Sequence, residues 1–115
     1  MNPIQEYFYR IDEPERSLLL FIRKKILESD SENITETFSF QLPFLKYKNK
    51  MLCFFYYSKK YKMHYLSFYH GDRLDYPELI SEGRKKFKIL LINPNEDLNL
   101  DFIFEIIEKI KAFTK

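Results

Sequence analysis

Apolar residues follow two different rhythms along this chain. Near the N-terminus Ile4, Tyr7, Phe8 and Ile11 recur three or four positions apart, the spacing that lines one face of a helix. Pro3 suits a first helical position, with Asn2 as its cap. Asp12-Glu13-Pro14-Glu15 interrupts the pattern and starts a second helix, with Glu15 in the first turn, where the helix dipole favours an acid. Leu18, Leu19, Ile22 and Ile26 form its apolar stripe, and Leu27 to Asn33 closes it. The same rhythm returns at the end of the chain. Ile103, Ile106, Ile107, Ile110 and Phe113 predict a terminal helix from Asn99 to about Phe113, capped by Asn99 or Asp101.

Between these helices the pattern changes to extended chain. Thr35, Phe38, Ser39 and Phe40 favour a strand, which Pro43 ends or confines to an edge because proline has no N–H to donate. Phe44 to Tyr47 resumes, Lys48-Asn49-Lys50 turns the chain, and Met51 to Tyr57 is apolar on both faces. After a turn at Ser58-Lys59-Lys60, the run from Tyr61 to Tyr69 alternates, with Leu66 and Phe68 on the face suited to a core. A short helix is expected after Pro77, and a last strand over Lys85 to Ile92. The expected fold is a single α+β domain over residues 1–115: an antiparallel sheet of about five strands, with two N-terminal helices and a C-terminal helix on one face.

Composition sharpens this picture at one point. Twelve Phe or Tyr residues lie between Phe38 and Tyr69, more rings than one face of a small sheet can hide, so some must line a groove or an interface. Charge and cysteine content mainly exclude. The 19 basic and 17 acidic residues leave a formal charge of +2, which gives no bulk support for nucleic-acid binding. Lysines at 46, 48, 50, 59, 60 and 62 beside Tyr47, Tyr56, Tyr57 and Tyr61 keep single-stranded bases as a minor option. The lone Cys53 sits among apolar neighbours and reads as an inert thiol. No signal-peptide pattern and no apolar run long enough for a bilayer are seen, so the cytoplasm is the expected compartment and no membrane partner is expected.

The segment Thr37-Phe38-Ser39-Phe40-Gln41-Leu42-Pro43-Phe44-Leu45-Lys46-Tyr47-Lys48-Asn49-Lys50 resembles the YdhG-like family, a bacterial domain of unknown function. The likeness is carried by Pro43-Phe44 and by the polar Lys48-Asn49-Lys50 turn. It extends to the Leu18–Ile26 helix, the Arg84–Ile92 strand and the terminal helix, with Gln41 where the family commonly has glycine. One branch of that family is described as a frataxin-like intracellular iron chaperone, so the resemblance implies iron as a cargo.

The residues themselves offer three candidate sites. The first is a ligand or partner groove built from Phe44, Phe55, Tyr57, Tyr61, Tyr65 and Tyr69, with Met51 extending it and Arg73 and Arg84 placed to receive an anionic group. The second is a weak metal site among Glu28, Asp30, Glu32 and Glu36, oxygen donors of the kind iron accepts. The third is an acid–base pair, His70 with Asp72. No serine sits in a nucleophile elbow and two glycines cannot build a phosphate loop, so no catalytic residue is assigned and no cofactor is indicated. Binding of a small molecule, metal or protein partner, including a second copy of the chain, is the leading expectation. An enzyme with an aromatic cleft and a histidine–aspartate pair is the alternative, with a plain interaction or structural domain beside it.

Overall fold

The structure, a computed structural model, describes residues 2–114. Helix α1 spans Pro3–Tyr9 and α2 spans Glu15–Ser29. Strands β1 (Ile34–Ser39), β2 (Leu42–Tyr47), β3 (Lys50–Ser58), β4 (Met63–Tyr69) and β5 (Phe87–Ile92) follow, and α3 (Leu100–Phe113) ends the chain. The strands form one antiparallel sheet in sequence order, and the three helices pack on one face of it, as the periodicities require.

The helix starts follow from local chemistry. Asn2 accepts from the Gln5 N–H at 2.8 Å while the Gln5 side chain accepts from the Asn2 N–H at 3.1 Å, a reciprocal cap. At α2 the Glu13 carboxylate accepts from both the N–H and the hydroxyl of Ser17, at 2.9 and 2.7 Å. Asn99 accepts from the Phe102 N–H at 3.1 Å, so it, and not Asp101, caps α3.

The core lies between the helices and the sheet face that carries Ile34, Leu45, Cys53, Phe55, Leu66, Phe68 and Ile92. Phe8 meets Phe55 edge to face at 5.3 Å, joining α1 to the central strand. Leu52 and Cys53 are both fully buried because the pairing of β2 with β3 slips between Leu45 and Lys46: the extra residue of a bulge turns both side chains inward. Burial also pushes the Cys53 thiol well above its usual range, so it stays protonated and unreactive. The half-buried Arg23 grips Glu36 of β1 with two hydrogen bonds, one of 2.7 Å, and Lys111 reaches Asp30 at 3.3 Å to tie α3 to the end of α2.

Among the described residues no α-helix packs on the opposite face. It is closed by its own rings: Phe40, Phe44, Phe54, Phe87 and Tyr69 follow one another with centroids 4.8–6.3 Å apart. Ser67, entirely buried, lies beneath Phe54 and beside Ile89 in this layer.

Three local expectations change. The turn after β1 falls at Phe40-Gln41, ahead of Pro43, so the proline stands inside β2, which is not an edge strand. Tyr61 lies in the loop before β4, where its N–H donates to the Ser58 hydroxyl at 3.1 Å. No helix follows Pro77 among the described residues. A 3-10 turn forms at Gly71–Arg73, and Ile80 bridges to Ile89 on the outer side of β5. Gly71 is required there, because a Cβ would lie 2.3 Å from the Lys88 nitrogen and 2.4 Å from the Phe87 carbonyl carbon. Both are main-chain atoms and cannot swing aside. Gly71→Ala should therefore lower unfolding stability by about 1–3 kcal/mol, read from the urea midpoint. An unchanged midpoint would show that the close approach is not needed.

Candidate functional site

A cleft of about 730 Å³ opens where β2 and β3 part company. That volume lies within the range of natural small-molecule sites. Two features of β2 set it: a proline within the strand and a turn just ahead of it. The β2–β3 ladder runs from Tyr47↔Lys50 up to Phe44↔Phe54 and stops. The next residue of β2 is Pro43, which has no N–H to give to Phe55. Beyond it β3 continues to Ser58, paired only with β4. Leu42 and Gln41 form one wall of the opening, Tyr56 and Tyr57 the other, and Tyr7 and Ile11 close it from the helix side.

The turn at the rim is under strain. Phe40 and Gln41 have φ of 53° and 64°, the left-handed region at both central positions of a two-residue hairpin turn. Asparagine and glycine suit such a turn, whereas a phenylalanine there carries a steric cost. Phe40 is also 86% exposed, the most open of the large apolar side chains among the described residues. Among the described residues five of these are strongly exposed: Phe40, Tyr56 and Tyr57 line the cleft, and Tyr9 and Phe21 do not. Positive φ also occurs at Lys48, Asn49, Lys62, His70 and Glu82, but only at Phe40 does it hold a large apolar ring out in water.

The polar groups of the cleft are few. Glu6 and Arg10 stand one helical turn apart on α1 at 3.9 Å and offset each other's charge. Burial raises the Tyr7 hydroxyl above its normal range, with Tyr56 and Tyr65 adding to the effect, so it remains a neutral donor. His64 lies against Tyr57, ring centroids 4.9 Å apart. Burial lowers its proton affinity and Glu15 offsets this only in part, so the imidazole is neutral at pH 7. Its Nδ1 is enclosed without a hydrogen-bond partner among the described residues.

The eight groove candidates do not form one groove. Tyr57 stands on the helix-covered face with Phe55, which is in the core. Phe44, Tyr65 and Tyr69 stand on the opposite face. Tyr65 is only 2% exposed; Arg84 lies over its ring at 5.3 Å and donates to its hydroxyl at 3.2 Å. Arg73 stacks on Phe113 at 4.0 Å, away from the other candidates. Only Tyr57 of the set lines the cleft.

The other two candidate sites are also dispersed. Glu36 is bound to Arg23, and Asp30 to Lys111 and Asn33. Among the described residues no three His, Cys, Asp or Glu side chains are grouped to hold a metal ion. Asp72 pairs with Lys86 at 3.5 Å, while the His70 ring packs between Tyr69 and Phe113. Burial and the Arg73 charge lower the proton affinity of His70, and Asp72 opposes them.

Sequence reasoning passed over Phe40, Gln41, Leu42, Tyr7 and His64 as site residues. One signal pointed to them: a proline flanked on both sides by strand-forming residues marks the place where a ladder must end. Compared with family models, with curated proteins and with solved structures, the chain finds no match.

Two outcomes follow from the strained rim and the depressed histidines. Replacing Phe40-Gln41 by Asn-Gly should stabilise the protein by about 1 kcal/mol, since the turn then adopts its φ values without Cβ conflict. A drop in the urea midpoint would contradict that. His64 and His70 both bind protons less readily folded than unfolded, from an ordinary value of 6.5. Their contribution is present above that value and is lost as pH falls below it, because the unfolded chain takes up the protons first. Stability should therefore decline between about pH 7 and pH 5, and His64→Gln should flatten the decline. An equal slope in the variant would exclude His64 as a source.

Proposed function

We propose that this protein is a binding protein, without covalent chemistry, whose ligand occupies the cleft between the ends of β2 and β3. The observation that carries this reading is the meeting of Phe40, Tyr56 and Tyr57 at one opening. Leaving three rings in water costs apolar burial that a ligand would restore. The Phe40 turn points the same way, because it holds an apolar ring out in water at the rim of the opening. Charge is balanced at Glu6 and Arg10 and His64 is neutral, so the cleft suits an uncharged, largely apolar ligand.

An iron-chaperone role and membership of the YdhG-like family rest on the sequence resemblance, and the geometry of the four acids adds no support to them. An enzymatic role resting on His70 and Asp72 is weakened by their separate engagements, with Phe113 and Lys86.

N-phenyl-1-naphthylamine, an uncharged dye whose fluorescence rises in apolar sites, provides a first test. The native protein should enhance it, and Leu42→Glu and Tyr57→Ser should each weaken the binding roughly tenfold, which corresponds to about 1.4 kcal/mol of lost apolar contact. If both variants fold and bind the dye as the native protein does, the cleft is not the ligand site.

A further inference from the structure

The register of the sheet says more about what the cleft can hold. In an antiparallel ladder the main-chain N–H and C=O of successive residues point alternately to the two neighbouring strands. The two-residue turn makes Ser39 and Leu42 a hydrogen-bonded pair, so Leu42, Phe44 and Lys46 direct their main chain toward β1. Pro43, Leu45 and Tyr47 therefore face β3. The Leu45↔Cys53 pair carries this across, and on β3 the residues that face β2 are Cys53, Phe55 and Tyr57. Cys53 has its partner. Pro43 can offer Phe55 only a carbonyl. Tyr57 has no partner on that side: its register ladder is with β4 alone, and no turn or side-chain hydrogen bond reaches its main chain among the described residues.

The cleft thus combines exposed rings with an unpaired stretch of strand. A simple apolar molecule would cover the rings and leave the Tyr57 amide and carbonyl unmatched. An anion has no net positive charge to meet, because Glu6 stands beside Arg10. A peptide unit supplies one donor and one acceptor at the spacing that a strand edge needs. Resting on the cleft as the ligand site, we propose that the ligand is an extended peptide segment. Its main chain pairs with Tyr57 as a short added strand, and one apolar side chain lies among Phe40, Tyr56 and Tyr57. In this arrangement the proline stops the native ladder, and the turn at Phe40-Gln41 leaves the overhanging end of β3 open to another chain.

The test varies the ligand, so it does not depend on a variant folding. The nitrogen-15-labelled protein is titrated with the capped tripeptide acetyl-Thr-Phe-Thr-amide, with the same peptide N-methylated at each residue in turn, and with p-cresol as a ring without a peptide unit. The expected result is a shift of the Tyr57 amide on adding the tripeptide, with at least one N-methyl form binding about tenfold more weakly, the loss expected for one main-chain hydrogen bond. If p-cresol shifts the cleft resonances and the tripeptide does not, or if all N-methyl forms bind as the parent does, strand pairing is overturned while the cleft stands as a ligand site. If neither the tripeptide nor p-cresol shifts any cleft resonance, both readings fall.

Discussion

A sheet must give a partner to each main-chain N–H that it buries, and proline has none to give. In this protein that constraint falls at Pro43, and the geometry around it follows. An ordinary strand former there could add only the pair opposite Phe55, because Gln41 already belongs to the turn; Tyr57 overhangs β2 in either case. Below the proline, the bulge at Leu52 interrupts the same ladder but turns an additional side chain into the core. One strand pair is thus compact at one end and parted at the other, and the parted end holds the exposed rings.

The two faces of the sheet solve burial differently. One uses helices, whose stripes meet Leu45, Phe55, Leu66 and Phe68 in the usual way. The other uses its own side chains, with a file of rings lying across the strands and Arg84 folded over Tyr65. Ser67, the cross-strand partner of Phe54, is entirely buried on this face, and Phe54 and Phe87 meet at 5.4 Å. The surplus of rings was therefore absorbed more fully than a count suggests. What remains in water is concentrated at the rim of the cleft.

Much of this was legible in the residues. The helices were written in the spacing of Ile4 to Ile11, Leu18 to Ile26 and Ile103 to Phe113, and the strands in β-branched and aromatic runs. The turn at Phe40-Gln41 was not, because neither residue favours positive φ and the pattern reads through them as continuous strand. The site was hidden for a related reason. Alternation assigns Tyr57 and Tyr65 to faces only once register is known, and the bulge at Leu52 and the loop position of Tyr61 both break a simple count. The acids after α2 looked free in one dimension. Arg23 and Lys111, distant in sequence, claim Glu36 and Asp30 in three.

The order of the strands has a kinetic meaning as well. Each pairs with its neighbour in sequence, and the first three connections are tight, so most of the sheet assembles from local encounters with little loop entropy to overcome. The passage from β4 to β5 is the exception: the chain wanders through residues 70–86 before it returns. The anchoring of Gly71 against Lys86 and of Ile80 against Ile89 shortens that excursion. The longest excursion between paired strands is thus the one that carries its own main-chain staples.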